Sequence, residues 1–164
     1  MNPSDELVLR VLVIGVGATL FLDAWQLLLK TLKVPTLNFA YVGRWVGHWR
    51  HGQWAHVAIA KAAPIRGELL LGWLVHYATG LAFAALLVGV LGLEWARAPT
   101  LWPALVFGVL TVAAPLLVMQ PAMGAGIASS KTPTPVFNCF KSVINHAVFG
   151  VGLFIAALVS TNWF

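Results

Sequence analysis

The chain has 164 residues, of which 60% are hydrophobic and 9% are charged. Soluble domains carry about 25% charged residues, so this chain has too few charges to cover a water-exposed surface. Its single cysteine, Cys139, excludes an internal disulfide framework. The net charge is +5. Because the basic residues lie next to apolar segments, we expect them to contact membrane lipids with anionic headgroups and expect no nucleic acid partner.

The first apolar segment covers residues 7–29 and is long enough to cross a hydrocarbon core of about 30 Å. Small and polar side chains recur along one face of this predicted helix, at Gly15, Thr19, Asp23, Gln26 and Lys30. An ionisable group inside a membrane is costly unless it faces protein or water. Asp23 is therefore predicted to be either a structural carboxylate bonded to a neighbouring helix or a proton, cation or substrate site.

Residues 30–67 form a long polar connection that holds six of the ten Lys and Arg residues. Within it, residues 39–63 combine Trp and Tyr rings with basic side chains, which favours an amphipathic segment at the level of the lipid headgroups. His48, His51 and His56 also lie here. Their spacing does not place them on one tight helical face, and no cysteine or acidic residue accompanies them. We therefore expect no metal site in this segment.

Three further apolar segments, at residues 68–93, 101–119 and 136–159, predict three more membrane-spanning helices. The second span carries a stripe of polar and small residues four positions apart, at Glu68, Gly72, His76 and Gly80. The fourth span has a polar face that contains Asn138, Ser142, Asn145, His146 and Gly150. Pro115 is expected to kink the third span. Residues 120–135 are rich in small and helix-breaking residues and predict a loop, which either lies on the surface or dips back as a re-entrant segment buried in protein.

The distribution of Lys and Arg predicts the orientation. The connection between the first two spans is strongly basic and Lys131 lies between the last two, whereas the short loop between the second and third spans has only Arg97. Basic loops stay in the cytoplasm, so we expect both termini on the non-cytoplasmic side of the membrane.

Several polar residues on different spans are predicted to lie at a similar depth in the membrane. At 1.5 Å per residue, Asp23, His76 and His146 lie roughly 9 to 13 Å from the cytoplasmic ends of their helices. This predicts an intramembrane polar cavity that opens toward the cytoplasm and binds a small polar ligand or a lipid headgroup. The candidates for acid–base chemistry are Asp23, Glu68, His76 and His146. The candidates for ligand binding are Arg44, His48, Gln120, Lys131, Asn138, Lys141 and Asn145.

Other interpretations of the polar residues stay open. In one, Asp23, His76 and His146 are structural groups that hydrogen-bond across helices. In another, two histidines and a carboxylate hold a divalent ion, but the spacing does not resemble a known metal motif, so no metal and no particular cofactor is predicted. A third is a transporter or channel protomer completed by homo-oligomerisation, and a fourth is a structural or accessory membrane subunit.

The chain resembles a family of small bacterial inner-membrane proteins that is defined only as a domain of unknown function. The resemblance lies in G-R-W-V-G-H at residues 43–48, Gly67-Glu68, G-W-L-V-H-Y at 72–77, M-Q-P-A at 119–122, K-T-P at 131–133 and His146. It covers nearly the whole chain and implies four spans in a bacterial inner membrane, without an activity.

The expected fold is therefore all-α. It comprises a four-helix transmembrane bundle with an interfacial amphipathic helix in the first cytoplasmic loop. Residues 1–164 are expected to form a single integral membrane domain.

Overall fold

A computed structural model describes residues 2–163 and contains helices but no strands over that range. Four of the helices are long and apolar enough to cross a membrane, namely Pro3–Thr31, Glu68–Leu91, Leu101–Ala122 and Pro135–Thr161. These bounds lie within a few residues of the four predicted spans. The prediction of an all-α fold with four candidate membrane helices is confirmed.

The first span is helix α1 (Pro3–Thr31), which has sequence signals at both ends. The Asn2 side chain accepts a hydrogen bond from the Ser4 backbone N–H. Acidic residues occupy the first turn and Lys30 the last, which complements the helix dipole. After the connection, helix α2 (Phe39–His48) begins at Asn38, whose side chain caps the backbone N–H of Ala40.

Helix α2 occupies only the first part of the predicted amphipathic segment. A 3-10 turn at Trp49–His51 follows it, and Gly52 then adopts a left-handed conformation with φ of 74°. A residue in this conformation ends a helix, and glycine adopts it without a steric penalty. The rest of the segment is irregular apart from a second 3-10 turn at Ile59–Lys61.

The second span is helix α3 (Glu68–Leu91), and the short helix α4 (Leu93–Arg97) follows it. The third span is interrupted. Helix α5 (Leu101–Leu110) is followed by a π-helical turn at Pro115–Met119 and a short helix α6 (Gln120–Ala122). Proline lacks a backbone N–H, so the regular α-helical ladder is not maintained at Pro115. The fourth span is helix α7 (Pro135–Thr161).

The chain forms two compact units. The first comprises Met1–Thr36, Tyr77–Thr111 and Asn145–Phe164, and the second comprises Leu37–His76 and Val112–Ile144. The first unit has an apolar core of side chains that are at most 1% exposed, including Ile14, Ala18, Ala84, Leu87, Leu153 and Ala157.

Small residues let helices approach closely within each unit. In the first unit, a Cβ atom on Gly108 would lie 2.5 Å from the Cα of Gly150, so α5 and α7 pack backbone against backbone. In the second unit, Gly43 of α2 faces the Glu68 carbonyl, and Gly72 of α3 faces the Phe39 carbonyl. Neither position has room for a side chain. Part of the small-residue stripe of the second span thus packs against α2.

Candidate functional site

Two hydrogen bonds in the first unit join α1 to its neighbours at nearly one level. The Tyr77 hydroxyl of α3 donates to Asp23 Oδ2 at 2.9 Å. Two residues further along α1, the Trp25 indole N–H donates to Asn145 Oδ1 of α7 at 2.9 Å. Asp23 and Asn145, both singled out from the sequence, therefore lie in contacts between helices.

A third contact at this end of the unit joins α7 to the end of α5. His146 Nδ1 lies 2.8 Å from the Thr111 hydroxyl, which also donates to the Gly108 carbonyl at 2.6 Å. When the hydroxyl proton goes to Gly108, the Thr111 oxygen can accept from His146 Nδ1–H. In that tautomer of the neutral ring, Nε2 carries a lone pair. We call the residues of the three contacts, Asp23, Trp25, Tyr77, Thr111, Asn145 and His146, the polar layer.

The polar layer lies where the packing of the first unit loosens. Thr111 is buried, but the other five side chains of the layer are only partly buried. Further along the same helices, α1 and α7 hold fully buried residues such as Ile14 and Leu153. The layer therefore has an accessible surface that the apolar core lacks.

His76 belongs to the second unit. Its ring lies 4.5 Å from the ring of Phe39 and 5.7 Å from that of Trp73, measured between centroids. The structure thus places this imidazole among aromatic side chains. Asp23 and His146 belong to the first unit, and the predicted joint cavity of the three residues stays a prediction.

Arg44 and Glu68, which the sequence analysis placed in separate roles, form an ion pair. The Arg44 guanidinium donates to both carboxylate oxygens of Glu68, at 2.9 and 2.8 Å, and to the carbonyls of Ile59 and Ala62. Its bonds to Glu68 raise the pKa of Arg44 above its usual range. Arg44 is only 9% exposed. The anion that Arg44 holds in this structure is therefore a carboxylate of its own chain.

Two histidines of the first loop lie next to each other. His48 Nδ1 and His56 Nε2 are 2.7 Å apart, and their rings stack with a centroid distance of 4.9 Å. His48 was predicted to bind a ligand, but its pairing with His56 was not predicted. A loop of seven residues separates the two histidines, and periodicity carries no information across a loop.

The remaining predicted ligand-binding residues lie around the loop that precedes α7. Gln120 accepts a hydrogen bond from Ser129, and Asn138 donates to Thr132, each at 2.9 Å. Both side chains therefore stabilise this loop. Lys131 is exposed, and the Lys141 ammonium lies 5.8 Å from the centre of the Phe137 ring.

A charged cluster that the sequence analysis did not single out lies within the first unit. The Glu6 carboxylate accepts from Arg10 at 2.8 Å and from Arg97 at 3.0 and 2.7 Å. Arg10 also donates to the Ala96 carbonyl and the Ser160 hydroxyl. The bonds to Glu6 raise the pKa of Arg97. The cluster connects α1, α4 and α7, and the spacing of Glu6 and Arg10, four residues apart, was the only signal in the sequence.

Across residues 2–163, no group of three or more His, Cys, Asp or Glu side chains is arranged to hold a metal ion. The polar layer and the other clusters are built from hydrogen bonds and ion pairs.

The four apolar helices define the class of protein, which is a multi-pass membrane protein. A family model described as "Protein of unknown function (DUF2938)" matches residues 12–160. The chain belongs to this family, which confirms the resemblance to an uncharacterised membrane family. No curated protein and no solved structure matches the chain.

Proposed function

We propose that this membrane protein binds a small polar ligand or a lipid headgroup at the polar layer of its first unit. The observation that supports the proposal is that all four spanning helices contribute polar groups to one layer, and that all of these groups except Thr111 are partly accessible. The layer includes an ionisable carboxylate, Asp23, and an imidazole, His146, within apolar helices. Ionisable residues at such positions are costly and usually functional.

The chemistry of the layer suits a ligand that carries hydroxyl or amine groups. Asp23 is an acceptor when ionised, whereas the Tyr77 hydroxyl and the Asn145 amide can donate as well as accept. The Nε2 lone pair of His146 offers a second acceptor. An acid–base step would fall to Asp23 and His146, since carboxylates and imidazoles are the usual proton carriers. Glu68 and His76 stay separate predictions for the second unit.

The proposed setting is the inner membrane of a bacterium, with the basic loops in the cytoplasm and both termini on the other side. The Lys and Arg distribution supports this orientation. In this orientation the polar layer lies in the cytoplasmic half of the spans, and Lys131 would contact anionic lipid headgroups.

Native mass spectrometry of protein extracted in its own lipids tests the proposal. The wild type should retain a bound mass that the Asp23→Asn variant loses, while the Glu94→Gln variant keeps it. Glu94 is a suitable control because its side chain is 86% exposed and lies outside the layer. The mass itself distinguishes a phospholipid from a small soluble molecule. Equal retention by wild type and Asp23→Asn, or no bound mass in the wild type, would contradict the proposal.

A further inference from the structure

The contact between His48 and His56 limits how many protons the pair can hold. A neutral imidazole has one N–H donor and one acceptor nitrogen, whereas a protonated imidazole has two donors. At 2.7 Å, one of the facing nitrogens, His48 Nδ1 and His56 Nε2, must donate and the other must accept. A pair in which both rings are protonated cannot make this bond, because both facing nitrogens would carry hydrogen.

The surroundings give little compensation for a second positive charge on the pair. His48 is 6% exposed, and His56 Nδ1 is buried without a hydrogen-bond partner among the residues that the structure describes. Burial, and next the proximity of His48, lower the pKa of His56. A pair with both rings protonated therefore loses its mutual bond and gains little contact with water in return.

The charged groups around the pair are mostly basic. Arg44 lies one turn before His48 on α2, and Arg50, His51 and Lys61 lie in the same connection. Glu68 is the acidic group that acts on His48, and it is already bonded to Arg44. On the opposite side, residues 120–123 are Gln, Pro, Ala and Met and offer no titratable side chain.

His56 also belongs to the backbone contact between the first loop and the end of the third span. Its N–H donates to the Ala122 carbonyl at 2.7 Å, and the Ile59 N–H donates to the Met123 carbonyl at 3.0 Å. Gly124, at φ of 94°, faces the Val57 carbonyl where a side chain would overlap. The loop therefore lies directly against the segment that follows the π-helical turn.

We propose that the His48–His56 pair is a proton-operated latch, in which uptake of a second proton breaks the bond between the rings and releases residues 53–59 from Ala122 and Met123. The latch lies in the basic loop that is expected in the cytoplasm, so it would respond to cytoplasmic acidification. It does not depend on the ligand site proposed for the first unit.

Hydrogen exchange measured by mass spectrometry tests the latch in the full-length protein. The protein is held in lipid nanodiscs with a metal chelator between pH 7.5 and 5, and rates are corrected for the intrinsic effect of pH. Opening exposes His56 to water, where its pKa is about 6.5. Each opening event then takes up one proton, so exchange at His56 and Ile59 should rise by up to about tenfold per pH unit below 6.5.

Two glutamine variants separate the latch from general loosening in acid. His56→Gln keeps a neutral polar group near the position of Nε2 but cannot be protonated, so its exchange should not respond to pH. His51→Gln should respond like the wild type, because His51 is exposed and its ring accepts from Arg50. A wild type without a response, a His56→Gln variant that still responds, or a His51→Gln variant that does not would overturn the proposal.

If His56→Gln does not fold, histidine-selective ¹⁵N NMR of the wild type provides the second measurement. His48 and His56 should together hold at most one extra proton while the loop is protected, and the second should bind as protection is lost. Two fully protonated rings in a protected loop would contradict the latch.

Discussion

At the residue scale, three acidic groups within the membrane helices or at their ends are bonded to defined partners. Asp23 accepts from Tyr77, Glu68 pairs with Arg44, and Glu6 bonds two arginines. An isolated charge is expensive in an apolar environment, and a bidentate pair lowers that cost only with good geometry. Removing one partner of such a bond should therefore lower the free energy of unfolding by more than the loss of a single surface ion pair would.

The Arg44–Glu68 pair provides a direct test. Glu68→Gln should lower the free energy of unfolding by about 3 kcal/mol, because the buried Arg44 loses its counter-charge. Unfolding in mixed detergent micelles measures the change. Glu94→Gln is the matched control and should have almost no effect, since Glu94 is exposed. A Glu68→Gln variant as stable as the wild type would argue against a structural role and favour the predicted acid–base role.

Tyr77→Phe separates binding from packing in the polar layer. It removes the hydroxyl that donates to Asp23 but keeps the ring. Hydrogen bonds between membrane helices contribute on average about 0.6 kcal/mol, so we expect only a small loss of stability. The ligand mass should nevertheless be lost in native mass spectrometry. A variant that keeps the bound mass but loses far more stability would identify the bond as packing alone.

At the element scale, close contacts decide where α2 and α3 lie within the second unit. Gly43 and Gly72 place each helix backbone against a carbonyl of the other. The third span behaves differently, because Pro115 interrupts its regular hydrogen bonds and a π-helical turn follows. The contact between the first loop and Ala122 therefore lies between the short helix α2 and the interrupted third span.

Alanine substitutions at two glycines of α3 should affect stability differently. A methyl group at Gly72 overlaps the Phe39 carbonyl, so Gly72→Ala should destabilise the protein by about 1 to 3 kcal/mol. Gly89 has no atom within 4 Å of the added position, so Gly89→Ala should be neutral or stabilising because alanine favours helices. Unfolding titrations of both variants test the contact, and equal effects would show that α2 does not pack as described.

At the scale of the whole molecule, four spans predict a simple topology. Four crossings would return the chain to its starting side, so the proposed arrangement puts both termini on one side and the loop of residues 30–67 on the other. The concentration of basic residues in that loop supports the proposal that its side is cytoplasmic.

Cysteine labelling in intact cells tests this topology. In a Cys139→Ser background, single cysteines at Ser4 and Asn162 should react with a membrane-impermeant maleimide added outside. A cysteine at Ala63 should react only after the membrane is permeabilised. Reaction of the cysteine at Ala63 in intact cells would contradict the orientation, and different behaviour of the two ends would contradict the even number of crossings.

The sequence by itself determined the class of protein, the four spans and the faces on which polar residues lie. Hydropathy and helical periodicity are local properties, so a run of residues such as 7–29 contains all the information needed to predict its span. Periodicity also placed Asp23 and His146 on polar faces, and Gly72 on a small-residue stripe. The same reasoning did not detect that Gly52 ends the regular structure, so that α2 forms only the first part of residues 39–63.

Only the tertiary structure decided which side chains meet. Arg44 bonds Glu68 across 24 positions, Tyr77 bonds Asp23 across 54, and the His48–His56 contact closes a loop. Periodicity gives the face of a helix on which a residue lies, but it does not give the residue on the neighbouring helix that it contacts. The residue that is contacted depends on how closely the helix backbones approach each other and on where the loops turn. At Gly43, Gly72 and Gly124, the backbone atoms that are approached belong to segments distant in the sequence.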